Sequence, residues 1–165
     1  MNLDRVRSFI SSTSMETRIF IGSDSERYKK RGKWMADYAT AVVVHYDGSH
    51  GCKVFGDVIT EVDYDSRRDR PTMRLMKETI LAAQLYLDLA EAIGDRYFEV
   101  HLDINRDEVH ASSTVLQQAC GYVRGMCSVD PKIKPEAFAS SSASDRILKR
   151  RKDFKDALAT EEQTA

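Results

Sequence analysis

The chain has little of what staples small secreted domains. Its three cysteines, Cys52, Cys120 and Cys127, are an odd number with no CxxC spacing. That argues against a disulfide framework or a zinc site and fits a reducing compartment, so a cytoplasmic location is expected. No apolar run approaches the length of a membrane span, and the opening MNLDRVRSFISS lacks the apolar core of a signal peptide. No membrane partner is expected. An excess of one charge sign is also missing, since 25 Lys and Arg stand against 26 Asp and Glu. Such a balance exerts no global pull on nucleic acid, so any binding of that kind must come from local basic patches. Internal repeats are absent. What is present is 42% hydrophobic and 31% charged residues in 165, the make-up of one globular domain with a real core. A single domain over residues 1–158 is expected, followed by a flexible C-terminal tail at 159–165.

The hydrophobic pattern orders the elements. Leu3, Val6, Phe9 and Ile10 share one side of a helix over Leu3 to Ser11. Arg18 to Ser23 is a strand that runs into Asp24, with Ile19 and Ile21 on one face and Phe20, Gly22 and Asp24 on the other. Gly22 would let a helix or ligand come close beside Asp24. Tyr38 to Tyr46 and Lys53 to Val62 read as two more strands around the turn signal Asp47-Gly48-Ser49-His50-Gly51. Thr72 to Ile93, from Pro71 to Gly94, is the longest helix, apolar nearly all round and so expected to be buried by several neighbours. Tyr97 to Ile104 is a strand and Thr114 to Cys127 a helix. Lys132 to Pro135 suggests a short strand, and Asp145 to Leu158 a last helix after the serine-rich Ser140 to Ser144. The order is βββαβαβα: an antiparallel meander, then crossovers that add parallel strands beside the first.

Two stretches are basic. Glu26 to Trp34, ERYKKRGKW, reads as a connecting loop. It is either a solvated turn or a nucleic-acid contact through Lys29, Lys30, Arg31 and Lys33, with Tyr28 and Trp34 to stack on bases. The last helix carries Arg146, Lys149, Arg150, Arg151 and Lys152.

Four acids stand out by position. Asp24 and Asp103 end apolar strands, Glu78 lies on the Ala82, Leu85 and Leu89 line of the long helix, and Asp145 begins the last helix. Asp24 could cap a turn, Asp103 could lead into a loop, and Asp145 suits a helix start. Glu78 is hardest to dismiss, because a bare carboxylate on an apolar side is costly unless paired or bound to a cation. Phosphodiester hydrolysis needs such a set. Two Mg²⁺ ions roughly 3.5–4 Å apart can activate water and stabilise the leaving oxygen, and they prefer hard oxygen ligands. His101 shares the Asp103 face and reads as structural; His110 is a weak candidate for proton shuttling.

The motifs IGSDS at Ile21 to Ser25, HLDIN at His101 to Asn105, QACGYVRGM at Gln118 to Met126 and IKPEAFASSSASDR at Ile133 to Arg146 go with the Glu78 helix. In this order the chain resembles the YkuK-type family of ribonuclease H-like proteins from about Leu3 to Arg151. The resemblance implies an α/β ribonuclease H-like fold with a mixed five-stranded sheet and helices packed on it. It implies that Asp24, Glu78, Asp103 and Asp145 are catalytic residues and metal ligands for two Mg²⁺ or Mn²⁺ ions, with Asp24 bridging. The expected activity is a metal-dependent nuclease acting on RNA, RNA–DNA hybrid or branched DNA. The alternative is a catalytically silent module of the same fold that binds nucleic acid or a protein partner.

Overall fold

An apolar strand flanked by two others can be buried on both faces only if helices cover both. That is the position of β1 (Arg18–Lys30). The computed structural model describes residues 1–46, 51–65, 71–106 and 115–152. The Asp47 to His50 turn residues, His110 and the tail at 159–165 lie outside the described residues.

β1 pairs antiparallel with β2 (Lys33–His45), which pairs antiparallel with β3 (Cys52–Val62). On its other side β1 pairs parallel with β4 (Phe98–Leu102), from Ile19↔Phe98 to Ser23↔Leu102. The sheet is mixed and four-stranded, in the order β3-β2-β1-β4. The expected fifth strand at Lys132 to Pro135 is reduced to one parallel bridge, His101↔Lys132. Lys132 donates to the Val100 carbonyl and accepts from the Leu102 amide, but the Lys134 amide goes to the Ile104 carbonyl instead of that of Leu102, so the register slips and no ladder builds.

One face of the sheet is covered by helices. α1 (Leu3–Ser11) and α3 (Leu116–Cys127) flank α2 (Thr72–Ile93). Ile19, Ile21, Val42, Val44, Val100 and Leu102 meet Val6, Ile10, Leu89, Ile93 and Val123 in one core. α2 begins and ends as its punctuation predicts, with Gly94 at positive φ after its last residue. Its burial is narrower than its composition suggests. Leu75, Glu78, Ala82, Leu85 and Leu89 face inward, while Met73, Ile80 and Leu87 are exposed.

The other face is covered by a π-helical segment, Ala139–Ser144, which continues as helix through residues 145–152. Two glycines let it lie flat on the sheet. A Cβ on Gly22 of β1 would stand 2.4 Å from the Ser140 backbone nitrogen. One on Gly56 of β3 would stand 2.1 Å from Ile147 Cδ1. The pattern at Gly22 therefore reflects a helix resting on the strand.

The stretch Glu26 to Trp34, expected as a loop, is a correction. It is the far end of the β1–β2 hairpin, paired as far as Lys30↔Lys33 and closed by Arg31 and Gly32, both at positive φ. That is the backbone a two-residue hairpin turn needs. β3 reaches only to Met35↔Val62, and β4 only to Ser23↔Leu102. The tip therefore projects as a two-stranded ribbon. With no neighbouring strand to bury it, the ribbon can be as polar as a loop, which is why composition misleads here.

Candidate functional site

Asp24 and Asp103 each follow the last paired position of the parallel β1–β4 ladder, Ser23↔Leu102. By alternation Asp24 shares the Phe20 and Gly22 face, where the π-helical segment lies. Ser25 points the opposite way, toward α2, and its hydroxyl donates to Glu78 Oε1 in a short hydrogen bond. Asp145 directly follows the π-helical segment that Gly22 admits. The helical layer, the sheet and the covering segment thus each bring an acid toward the same end of β1.

Electrostatics links the four. Burial pushes the Asp24 carboxyl up to about 7, and the charges of Asp103 and Asp145 push the same way. Glu78 is held well above the usual carboxylate range, first by its burial and then by the charge of Asp24, with Asp103 adding to it. Glu78 is 5% exposed, so the costly position read from the helix pattern is a buried one.

Each acid also has a partner within the chain. The Ser25 amide donates to Asp24 Oδ1 at 2.7 Å. Lys134 Nζ donates to Asp103 Oδ2 at 3.0 Å and lies 2.8 Å from Oδ1. That Oδ1 is buried and accepts no hydrogen bond. Lys149 Nζ donates to Asp145 Oδ2 at 2.6 Å, an i,i+4 pair. Among the described residues no three His, Cys, Asp or Glu side chains are gathered closely enough to hold a metal ion as they stand. The chemistry of the set nonetheless suits a hard cation. The donors are all carboxylate oxygens, one is buried without a hydrogen bond, and two of the acids resist ionising because they are buried beside other negative charges.

Several supporting residues escape a sequence reading. Arg74 sits one turn before Glu78, and its Nη1 donates to the Ser25 carbonyl and hydroxyl oxygens, both at 3.2 Å. The Arg74 to Glu78 spacing on one helix face is the signal that would have found it. Asp65 accepts from the amides of Met73 and Arg74, each at 2.9 Å, and so caps α2 from outside the helix. Arg27 Nε lies 2.6 Å from Asp63 Oδ2, and Arg27 also donates to the Asp65 carbonyl at 2.7 Å. This chain of contacts ties the root of the ribbon to the start of the Glu78 helix.

His101 is structural, as its position suggests. It is fully buried, accepts from the Ala139 amide at Nδ1 (3.0 Å) and sets Nε2 2.8 Å from Glu99. Burial lowers its pKa, and a ring that accepts at Nδ1 donates to Glu99 from Nε2.

The basic residues divide. Lys29, Lys30, Arg31 and Lys33 lie along the ribbon tip, and the Arg27 guanidinium lies 4.2 Å from the half-exposed Trp34 ring. On the last helix, Arg151 donates to the Val58 carbonyl and to Thr60 Oγ1, both at 3.1 Å, so it fastens the helix to β3. Lys149 is bound to Asp145, and Lys152 lies 3.6 Å from Glu26. Arg146 and Arg150 line a groove with Val43, Val54 and Phe138.

A mixed sheet with β1 inside, one long helix on its core face and a second helix across the other face is an α/β architecture consistent with the ribonuclease H-like fold. The family model described as Ribonuclease H-like matches residues 2–149, and the chain belongs to that family, in agreement with its YkuK-type resemblance. Searches of curated proteins and of solved structures return no match. No helix among the described residues is long and apolar enough to cross a membrane.

Proposed function

We propose that the chain is a divalent-metal-dependent nuclease whose site is built from Asp24, Glu78, Asp103 and Asp145. One observation carries the reading: acids from strand, helix, strand and helix stand in one another's field where β1 and β4 end. Glu78 in particular is a buried carboxylate that takes its hydrogen bond from the neutral Ser25 hydroxyl, and a divalent ion would offset the cost of its charge. Two Mg²⁺ or Mn²⁺ ions, when bound, would activate a water and stabilise the leaving oxygen of a phosphodiester. In this scheme Asp24 is the central ligand, Asp103 and Glu78 hold it from the sheet and the helical layer, and Asp145 completes the set. Ser25 and Arg74 orient Glu78.

The substrate in this reading is RNA, RNA–DNA hybrid or branched DNA. The ribbon cations Lys29, Lys30, Arg31 and Lys33 offer a backbone-tracking surface, with Trp34 available for stacking. On the last helix Arg146 and Arg150 are the better candidates for phosphate contact, since Arg151 is committed to β3.

A second reading is a silent module of the same fold that binds nucleic acid or a protein. The lysines that neutralise Asp103 and Asp145 favour it. A panel of single-stranded RNA, hybrid and branched DNA, assayed with Mg²⁺ and with Mn²⁺ beside Asp24→Asn, separates the two. Metal-dependent cleavage lost in the variant supports the nuclease. Full cleavage by the variant removes the site. No cleavage together with no divalent binding leaves the silent module.

A further inference from the structure

The cation that balances Asp103, Lys134, also lines an open cleft of about 700 Å³. Asn105, Arg106, Lys132, Lys134 and Ser141 are among its lining residues. Its two acids are met by cations of their own, Asp130 by Arg124 and Glu136 by Lys132 at 3.8 Å. Among the described lining residues three cations, Arg106, Lys132 and Lys134, stand against those two acids, an excess of one positive charge, and Lys134 connects the cleft to Asp103. Lys134 belongs to both places. Its backbone is fixed by donation from its amide to the Ile104 carbonyl at 3.0 Å. Its side chain is one-third exposed, and it contacts both Asp103 oxygens although one of them accepts no hydrogen bond from it. A lysine on a flexible stem can leave such a partner at small cost, unlike a bidentate arginine.

We propose that Lys134 is an exchangeable counter-ion: it holds Asp103 while no metal is bound, and when a divalent cation takes its place it turns into the cleft to meet a phosphate of the substrate. This rests on the reading of the four acids as a metal site. It deepens that reading by giving the cleft a ligand class, the phosphodiester backbone next to the cleaved bond, and by giving Lys134 two mutually exclusive partners.

The exchange has two readouts besides cleavage. The first is Mg²⁺ binding by calorimetry. Lys134→Met removes the competitor of the metal, so apparent affinity should tighten about fivefold, the worth of a partly exposed ion pair. The metal-free variant should melt at a lower temperature than the wild type. Lys134→Arg, which keeps the charge, should bind Mg²⁺ no more tightly than the wild type and guards against a folding defect in the first variant. The second readout is the salt dependence of binding to a labelled RNA–DNA hybrid of about 12 base pairs, long enough for several phosphate contacts, with Ca²⁺ and with EDTA. In Ca²⁺ the wild-type slope should exceed that of Lys134→Met by about one phosphate contact, roughly 0.7–0.9 in log–log terms. In EDTA the two slopes should coincide, because Lys134 is then occupied by Asp103.

Unchanged or weaker Mg²⁺ binding in Lys134→Met, with binding abolished in Asp24→Asn, overturns the counter-ion role and leaves the metal site standing. Equal slopes in Ca²⁺ overturn the turn into the cleft. Undiminished Mg²⁺ binding by Asp24→Asn overturns the metal site itself, and this proposal with it.

Discussion

Replacing Asp24 by Asn should make the metal-free protein more stable at alkaline pH. The folded carboxyl is raised from 3.8 to about 7 by burial and by Asp103 and Asp145. Between those values the folded state holds a proton that the unfolded chain has released. Stability therefore falls as pH rises through that window, and the full penalty is present above it. A rise of that size corresponds to about 4 kcal/mol as an upper bound. Asn removes the charge and can still accept the Ser25 amide through its own Oδ1, where Asp24 accepts it now. Losing part of that bond costs about 1 kcal/mol, which leaves a gain of about 2–3 kcal/mol at pH 8. For a chain of this length that is about 5–10 °C in Tm. Near pH 4 only about 0.5 kcal/mol of the penalty remains, less than the bond costs, so the variant should be the less stable by about 0.5 kcal/mol, since folded Asp24 is then neutral in the wild type as well. The assay is thermal melting by circular dichroism in EDTA from about pH 3.5 to 8.5, a range that brackets the window, repeated with Mg²⁺. Metal should raise the wild-type Tm and leave the variant nearly unmoved. A variant less stable than wild type at pH 8, or an equal difference at both ends of the range, would refute the account of Asp24 as a strained acid.

Changing Lys29, Lys30 and Lys33 together to Gln should lower the salt slope of nucleic-acid binding by about two to three, with Tm unchanged, because these side chains lie at the solvent-facing tip of the ribbon. An unaltered slope would take the ribbon out of the footprint. Gly22→Val should cost at least about 2 kcal/mol, since its Cβ would meet the backbone of Ala139 and Ser140, and a melt that shows no loss would mean the segment is free to lift. Arg151→Gln should cost about 1–2 kcal/mol in urea unfolding through its lost bonds to Val58 and Thr60 while changing binding little; the reverse pattern would make it a phosphate ligand.

Long, strongly patterned elements were legible from sequence. The Thr72 to Ile93 helix has Pro71 before it, Gly94 after it and an apolar side between, and all three act locally. The parallel adjacency of β1 and β4 follows from the handedness of crossovers, and with it the neighbouring positions of Asp24 and Asp103. The ribbon was not legible, because lysines in an unsupported hairpin have the composition of a loop and only the register distinguishes them. The fifth strand is reduced to one bridge because the pattern in Lys132 to Pro135 says nothing of register, and the Lys134 amide pairs with Ile104 out of step with the Lys132 bridge. Among the candidate ligands, Glu78 announced itself by its apolar surroundings. Lys134 did not, because a cation 31 residues from Asp103 reads as surface until the fold brings the two together.

The contact between Gly22 and the Ala139–Ser144 segment joins the first strand to the last described helix, across most of the sequence. Contacts of such long range form late, because loop-closure entropy must be met before they repay it. The β1–β2 hairpin can pair as soon as it is made; the approach of Asp145 to Asp24 must wait for nearly the whole chain. Until that helix is made the set of carboxylates lacks Asp145, so the activity proposed above could switch on only after synthesis has passed it. A polypeptide interrupted before that helix would carry the basic ribbon but not the complete set of acids.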